Sequence, residues 1–374
     1  MFTALIAAMS THQPPRSRTF NEVAAMPGRP ADARVTYGSA PEQLGELRLP
    51  AGPGPHPVVV LIHGGCWRAE YDITHIAPLA TALASDGWAV WAIEYRRVGS
   101  PGGSWPGTFL DVGAAIDHLR TLAKAHPLDL SRIVSVGHSA GGHLALWSAA
   151  RGALPKDSPI ASTNPLLPHG VVALAGITDL TTYASPNGCG SAVVPLLGGD
   201  AKTIGERYAQ ASPVTTVPTV PLQLIVGTAD TIVPRTQAEA LTRVVGSRAT
   251  VRVVEGAGHF DLIAPDREAW TVLRDALRAV MPGQGLGQVR GRVFDEHGGS
   301  IPDASVVFQP LDPRSGLTEF GAVADARGRF DFEGVRPGTY RVTCRARGYQ
   351  TTVAVEEVRP EVQTEVTLTM RAVK

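Results

Sequence analysis

Gly137-His138-Ser139-Ala140-Gly141 is the stretch that decides the fold of this chain. The preceding run, residues 132–136, is mostly apolar and predicts a buried strand, and residues 143–150 are rich in helix formers. Glycines on both sides of the serine allow a sharp turn between strand and helix that exposes its side chain. The pattern therefore predicts a strand, a tight turn and a helix, with Ser139 as a candidate nucleophile.

Two later loops supply a candidate acid and a candidate base for Ser139. Asp230 follows the apolar run 222–226, and His259 follows the run 250–255. A serine hydroxyl needs an imidazole to take its proton and a carboxylate to orient that imidazole. Because open parallel sheets place their site residues at the carboxyl ends of strands, we expect these three side chains to meet. Taken alone, Asp230 could be a turn residue or a helix cap, and His259 a surface histidine.

Other acidic residues offer alternatives to Asp230. Asp179 also follows an apolar run, residues 171–175, and is the alternative acid. Asp261 and Glu255 lie too near His259 in the chain to orient its ring easily. We interpret both of them as solvated or structural.

The sequence H-G-G-C-W at 63–67, after the apolar run 58–62, predicts an oxyanion hole. Charge develops on the carbonyl oxygen in the transition state of acyl transfer, and preorganised backbone donors must meet it. The predicted donors are the amide of Ala140, directly after the nucleophile, and an amide from Gly65 or Cys66.

With these motifs in place, residues 34–281 resemble the α/β-hydrolase superfamily. The H-G-G-x-W motif, the Glu94-Tyr95-Arg96-Arg97 strand end and the Trp105-Pro106-Gly107 loop are similar to bacterial esterases and lipases and to kynurenine formamidase-like members. Cys66 departs from this pattern, since relatives often have another residue there. The resemblance implies Ser139 as nucleophile, His259 as base and Asp230 as orienting acid.

Alternating strand and helix patterns over residues 34–281 predict a doubly wound, mostly parallel sheet with two antiparallel leading strands. The predicted strands cover residues 35–37, 44–49, 58–62, 88–94, 132–136, 171–175, 222–226 and 250–255. The predicted helices lie near 73–86, 108–125, 140–151, 234–246 and 266–281.

Residues 177–213 interrupt this alternation and are interpreted as an insertion at the rim of the site. Trp67, Trp105 and Tyr183 are candidates for a substrate-binding aromatic pocket. Ordinary core packing is the alternative interpretation of each of these three rings.

The pattern changes after Met281. Residues 282–287 predict a linker, and residues 288–374 show short alternating strands separated by turns, which is typical of a small β-sandwich. The stretch 291–340 resembles the carboxypeptidase regulatory-like, transthyretin-related domain. The resemblance implies a structural or binding accessory with possible glycan or protein contact, of a kind frequent in exported proteins.

Composition excludes some classes of partner. The chain has 374 residues and a formal net charge of +0. This charge balance gives no electrostatic reason to expect a nucleic acid as a partner. No apolar run approaches the roughly 20 residues that span a bilayer. We expect a small-molecule ester as substrate and no metal or organic cofactor. Nothing in the sequence indicates an oligomeric state.

The amino terminus and the cysteines bear on the compartment. Residues 1–33 are predicted to be a lead-in, either disordered or the remnant of a signal peptide, although they lack a basic n-region. Cys66, Cys189 and Cys344 are too few and too far apart for a disulfide framework or a zinc site. Cys66 and Cys189 could both lie near the site and form a disulfide. Because the accessory domain resembles modules that are frequent in exported proteins, a periplasmic or secreted location is favoured.

These patterns predict a serine hydrolase that cleaves carboxylic esters through a Ser-His-Asp triad. The enzyme alternatives are an arylformamidase and a prolyl-oligopeptidase-like peptidase. A further alternative is an inactive hydrolase scaffold whose β-sandwich binds a ligand.

Overall fold

The computed structural model describes residues 16–281, 287–311, 319–335, 337–359 and 362–373. These residues divide into two compact units, one ending at Val280 and the other beginning at Met281. In the described part of the chain, none of the helices has the length and apolar character needed to cross a membrane. Most of the predicted linker and any signal segment before Arg16 lie outside the described residues.

The first unit is built on an eight-stranded sheet among its described residues, and its strands occur in the order β1-β2-β4-β3-β5-β6-β7-β8. The leading strands β1 and β2 pair antiparallel, as predicted, and β2 also pairs antiparallel with β4. The six strands β3 to β8 run parallel to one another. The strands are β1 Ala33–Thr36, β2 Leu44–Arg48, β3 His56–Ile62, β4 Ala89–Ile93, β5 Leu128–His138, β6 Gly170–Leu174, β7 Leu222–Gly227 and β8 Ala249–Val254. The predicted doubly wound sheet is confirmed.

Helices follow most of these strands, and the predicted helix 108–125 is divided in two at His118. The helices are α1 Phe20–Ala24, α2 Ala77–Ser85, α3 Gly107–Asp117, α4 Leu119–Leu122, α5 Ala140–Ala150, α6 Leu180–Tyr183, α7 Val193–Leu197, α8 Gly205–Ala211, α9 Thr236–Val245 and α10 Glu268–Val280. Short 3-10 turns occupy Ile73–Ile76, Arg151–Ala153, Gly188–Ala192, Gly246–Arg248 and His259–Ile263.

Helix α1 is absent from the predicted elements. It lies within residues 1–33, the lead-in that we expected to be disordered or a signal remnant, and the structure describes this segment from residue 16 onward. Thr19 caps the helix, because its side chain accepts from the Glu22 amide and the Glu22 carboxylate accepts from the Thr19 amide. A single apolar side chain, Val23, is fully buried on this short helix. One buried position gives no periodic pattern that sequence reasoning could find.

The second unit is all β in its described residues. Two sheets have the strand orders β11-β10-β13-β14 and β12-β9-β15, and alternate side chains of their strands point into one apolar core. This is the predicted sandwich, with one unforeseen feature, the parallel pairing of β15 with β9. The strands are β9 Gly287–Asp295, β10 Ser305–Pro310, β11 Phe320–Val323, β12 Arg329–Val335, β13 Gly338–Arg345, β14 Thr352–Val358 and β15 Gln363–Met370.

Candidate active site

Ser139 occupies the turn between β5 and α5, with φ 57° and ψ −121°. Its amide donates to the carbonyl of Leu174 at 2.8 Å, which ties the turn to β6. A Cβ on Gly137 would lie 2.0 Å from the Gly141 carbonyl oxygen, and one on Gly141 would lie 2.1 Å from the Ile62 carbonyl oxygen. Both glycines are therefore required by close backbone approach, as the pentapeptide predicted.

Asp230 and His259 are brought together by the loops after β7 and β8. His259 Nδ1 lies 2.7 Å from Asp230 Oδ2, and Asp230 Oδ1 accepts from the amides of Ile232 and Val233 at 2.8 and 3.0 Å. Burial raises the pKa of Asp230, but the bond and charge of His259 and the two amides outweigh it, so the pKa lies below its usual value. The carboxylate is thus held ionised and in one orientation beside the imidazole.

The other acidic residues have structural partners. Asp179, the alternative acid, caps α6 by accepting from the amides of Thr181 and Thr182. Asp261 is buried, and its carboxylate accepts from the Gly258 amide at 2.8 Å, which braces the loop that carries His259.

The 63–67 loop turns back on itself through three left-handed residues: Gly65 at φ 101°, Cys66 at φ 54° and Trp67 at φ 55°. Such a conformation strains residues other than glycine, so surrounding contacts must impose it. Gly65 and Cys66 line the same cleft as Ser139. The backbone of this loop therefore passes beside the serine, as the oxyanion-hole prediction requires.

A buried polar network holds the base of that loop. His63 Nε2 lies 2.8 Å from Glu94 Oε1, and Glu94 also pairs with Arg97 and accepts from the Ile73 amide. The Tyr95 hydroxyl donates to the His63 carbonyl at 2.8 Å. Our sequence reasoning used residues 94–97 only for a family resemblance and missed this role. The available signal for this role was their position at the end of the predicted strand 88–94, because the H-G-G motif also follows a predicted strand.

A disulfide joins the same loop to the rim. Cys66 and Cys189 are bonded, with their Cα atoms 4.9 Å apart and a sequence separation of 123. Cys189 belongs to the 3-10 turn Gly188–Ala192, within the predicted insertion 177–213. The pairing that the sequence left open is therefore present, and it fixes the rim to a candidate oxyanion donor.

Cys189→Ala is expected to lower the free energy of unfolding by about 2–4 kcal/mol, because the bond closes a long loop in the unfolded chain. Urea unfolding with and without a reductant measures the effect, and reduced wild-type protein should match the variant. The Cys66→Ala, Cys189→Ala double variant is the control and should lose little more than the single variant. An oxidised wild type no more stable than Cys189→Ala would refute the prediction.

Ser139 and His259 open into a cleft of about 670 Å³. Its walls come from α1, the 63–71 loop, the rim and the loops after β7 and β8. The lining residues are Phe20, Gly65, Cys66, Arg68, Glu70, Tyr71, His75, His138, Ser139, Tyr183, Ser185, Asn187, Gly188, Cys189, Gly190, Ser191, Thr231, Ile232, His259 and Phe260.

Two of the three predicted pocket aromatics lie elsewhere. Trp67 is fully buried and donates through Nε1 to His143 Nδ1 at 3.2 Å, because the left-handed turn directs its ring towards α5. Trp105 packs on Phe109 with a centroid distance of 5.5 Å and is not among the described residues that line the cleft. Neither ring therefore contributes to the described lining of this cleft. Tyr183 does line the cleft.

Several buried histidines surround the site in the uncharged form. Burial, reinforced by the charge of Arg97, lowers the pKa of His63 to about 3. Burial likewise lowers the pKa of His75 to about 3 and that of His143 to about 4. His138, whose Nε2 lies 3.0 Å from the His259 carbonyl, has a pKa well below its usual value, chiefly because of burial.

These histidines predict a loss of stability in mild acid. In the unfolded chain each histidine binds a proton near pH 6.5, whereas the folded protein excludes it until about pH 3 to 4. Stability present above pH 6.5 is therefore lost as the pH falls through that window, by about 1–2 kcal/mol per histidine between pH 6.5 and 5.

Urea unfolding at pH 7.5 and pH 5 measures this loss. His143→Gln keeps a donor and an acceptor in place of the imidazole, and the loss of stability between the two pH values should shrink by about a quarter, because four buried histidines have a lowered pKa. Equal stability of the wild type at the two pH values would contradict the prediction.

A serine at a strained strand-to-helix turn, on a doubly wound sheet with a paired aspartate and histidine, defines an α/β-hydrolase. Comparison with protein families agrees with this class. Residues 47–245 match the BD-FAE family, and the chain belongs to that family. Residues 288–371 match the carboxypeptidase regulatory-like domain, as the sequence resemblance implied.

Known proteins similar to the chain are named as esterases. Esterase LipC of Mycobacterium tuberculosis is 31% identical over 62% of this chain and 60% of its own length. The chain thus matches about 60% of the length of that relative. A truncated carbohydrate esterase from gut microbiota shares the fold, with a TM-score of 0.58 and 24% identity over 67% of this chain and 98% of that one. Esterase B from Lactobacillus rhamnosis has a TM-score of 0.58 and 22% identity over 70% of this chain and 89% of that one.

Proposed function

We propose that this chain is a serine hydrolase that cleaves carboxylic esters, with Ser139 as nucleophile, His259 as base and Asp230 as orienting acid. The observation that carries the proposal is the 2.7 Å contact between His259 Nδ1 and Asp230 Oδ2, in a cleft that His259 shares with Ser139. Asp230 fixes the imidazole so that Nε2 is the nitrogen left to act as base.

The reaction proceeds in two halves. Ser139 Oγ bonds to the ester carbonyl carbon while His259 takes its proton, and the carbonyl oxygen becomes an oxyanion. The amides of Ala140 and of Gly65 or Cys66 stabilise that charge. When the C–O bond to the alcohol breaks, His259 returns the proton to the departing oxygen. Water then attacks the acyl carbon while His259 takes its proton. The C–O bond to Ser139 breaks as His259 returns that proton to Ser139 Oγ, which releases the acid and restores the enzyme.

Ester cleavage is favoured over amide cleavage because the similar proteins are named as esterases. The test compares kcat/KM on p-nitrophenyl acetate, an N-formyl anilide and a peptide amide, with Ser139→Ala as control. We expect the ester to be cleaved fastest by at least about two orders of magnitude, since an amine is a poorer leaving group. Preference for the formyl anilide would establish an arylformamidase, and preference for the peptide a peptidase.

A fluorophosphonate probe tests whether the site is catalytic at all. The probe forms a covalent adduct only with an activated serine. Wild-type protein is expected to be labelled on Ser139. No adduct on folded protein would favour the alternative of an inactive scaffold with a binding β-sandwich.

We also propose that residues 288–374 form an accessory domain. The described residues of this unit have their own apolar core, which includes Val293, Phe308 and Tyr340. Deletion of residues 288–374 is expected to leave kcat/KM on p-nitrophenyl acetate within about threefold of the full chain, because the candidate triad and every described residue that lines the cleft belong to the first unit. A large loss of activity in soluble, folded, truncated protein would mean that this domain shapes the site.

A further inference from the structure

The N-terminal segment, residues 16–26, is anchored to the loop that carries His259. The Arg18 amide donates to Asp261 Oδ1 at 3.0 Å, and Arg267 Nη2 donates to the Arg16 carbonyl at 2.9 Å. A Cβ on Gly258 would lie 2.7 Å from the Ser17 Cβ, so the two backbones are in close contact. These contacts hold the segment beside the candidate base.

This anchoring places Phe20 in the wall of the cleft. Its ring packs on Tyr71 at a centroid distance of 5.2 Å, on His75 at 5.2 Å and on Phe260 at 5.8 Å. Phe20, Tyr71 and Phe260 are each only partly buried, and all three line the cleft. We call these three residues the aromatic wall.

The aromatic wall adjoins His259. The Phe260 ring lies 5.1 Å from the His259 ring in an edge-on arrangement. Because His259 must hand a proton to the departing oxygen, the alcohol half of the ester leaves next to this imidazole. A second part of the cleft is formed by Tyr183 and Ile232, which are joined by a bond from the Tyr183 hydroxyl to the Ile232 carbonyl at 3.2 Å.

We infer that Phe20 is a specificity-determining residue and that the aromatic wall binds the alcohol half of the substrate, selecting esters of aryl alcohols. This inference rests on the proposed ester hydrolysis. Exposed aromatic faces and edges bind a flat aryl group by offset or edge-to-face contact, and a small alkyl alcohol reaches little of that surface.

The experiment measures kcat/KM of wild type, Phe20→Ala and Phe20→Leu on three esters. In 2-naphthyl acetate the aryl group is in the alcohol, in ethyl 2-naphthoate it is in the acyl half, and ethyl acetate has none. Variant-to-wild-type ratios cancel the intrinsic reactivity of each ester. Trp270→Ala is the matched control, because Trp270 is a partly buried ring on α10 that packs with Arg274 and does not line the cleft.

Phe20→Ala is expected to lower kcat/KM on 2-naphthyl acetate by about five- to tenfold and on the two ethyl esters by less than about twofold. Phe20→Leu should give an intermediate loss on 2-naphthyl acetate, and it guards against misfolding of the alanine variant. Trp270→Ala should leave all three values unchanged.

Two results would overturn the inference alone. Equal losses on all three esters would mean that the N-terminal segment only braces the His259 loop. A loss confined to ethyl 2-naphthoate would assign the aromatic wall to the acyl half. If wild-type protein neither reacts with the fluorophosphonate probe nor hydrolyses any ester, the proposed function itself fails, and the inference fails with it.

Discussion

Ser139→Ala is expected to lower kcat for ester hydrolysis by about six orders of magnitude and to abolish fluorophosphonate labelling. The substitution removes the oxygen that is proposed to form the acyl-enzyme. The imidazole then has no nucleophile to activate, and the oxyanion donors have no oxyanion to stabilise. The backbone should be undisturbed, because alanine has the same Cβ as serine at this left-handed turn.

Ser148→Ala is the control for this experiment. Ser148 is a buried serine on α5, the helix that follows Ser139. Its hydroxyl donates to the Ala145 carbonyl, and it is not among the described residues that line the cleft. Its activity should stay within about threefold of wild type. Ser139→Ala protein that keeps more than about one per cent of wild-type kcat would exclude Ser139 as the nucleophile.

Asp230→Asn is expected to lower kcat by about four orders of magnitude and to lower stability only by what the ionised carboxylate contributes. The amide oxygen of asparagine can still accept from the backbone amides that Asp230 Oδ1 holds, so the loop after β7 should persist. The neutral amide no longer fixes the imidazole tautomer or stabilises the imidazolium that forms during the reaction. Steady-state kinetics and thermal unfolding of the same preparation separate the two effects.

Asp179→Asn is the matched control, because Asp179 is the alternative acid and follows the neighbouring strand β6. Asparagine also caps helices well, so the substitution should cost less than about threefold in kcat. A larger loss from Asp179→Asn than from Asp230→Asn would reverse the assignment of the acid.

The pKa of Asp230 also predicts a pH effect of known sign. The pKa is lower in the folded protein than in the unfolded chain, where it is near the ordinary value of 3.8. The carboxylate therefore contributes stability above that value, and the contribution is lost as the pH falls through the folded pKa. As the pH falls from 3.8 through the lower folded pKa, wild type and Asp230→Asn should converge in stability. Curves that stay parallel to lower pH would contradict this explanation.

The sheet and the principal helices could be predicted because their signals are local. Runs of β-branched residues mark β3, β5, β7 and β8, and the glycines around Ser139 allow the sharp turn and the close backbone contacts that the structure shows there. Asp230 and His259 follow from the same logic, since parallel strands end at one edge of the sheet.

The errors arose where side-chain direction or distant contacts decide the outcome. Trp67 sits in the predicted oxyanion loop, but a positive φ directs its ring into the core, which no local pattern reveals. The Cys66–Cys189 bond, which the sequence left open, joins residues 123 positions apart. Helix α1 is short and depends on contacts with residues more than two hundred positions later, such as Asp261.

Sequence pattern alone thus identifies the order of strands and helices, the strained serine turn and the three residues expected to act together, because each depends on backbone periodicity and on glycine conformation. Only the tertiary structure reveals the wall of the cleft. Phe20, Tyr71 and Phe260 come from three distant segments, and Trp67 and Trp105 are directed away from the cleft. Side chains from distant segments become neighbours only when the chain packs, so a linear sequence carries no local signal of them.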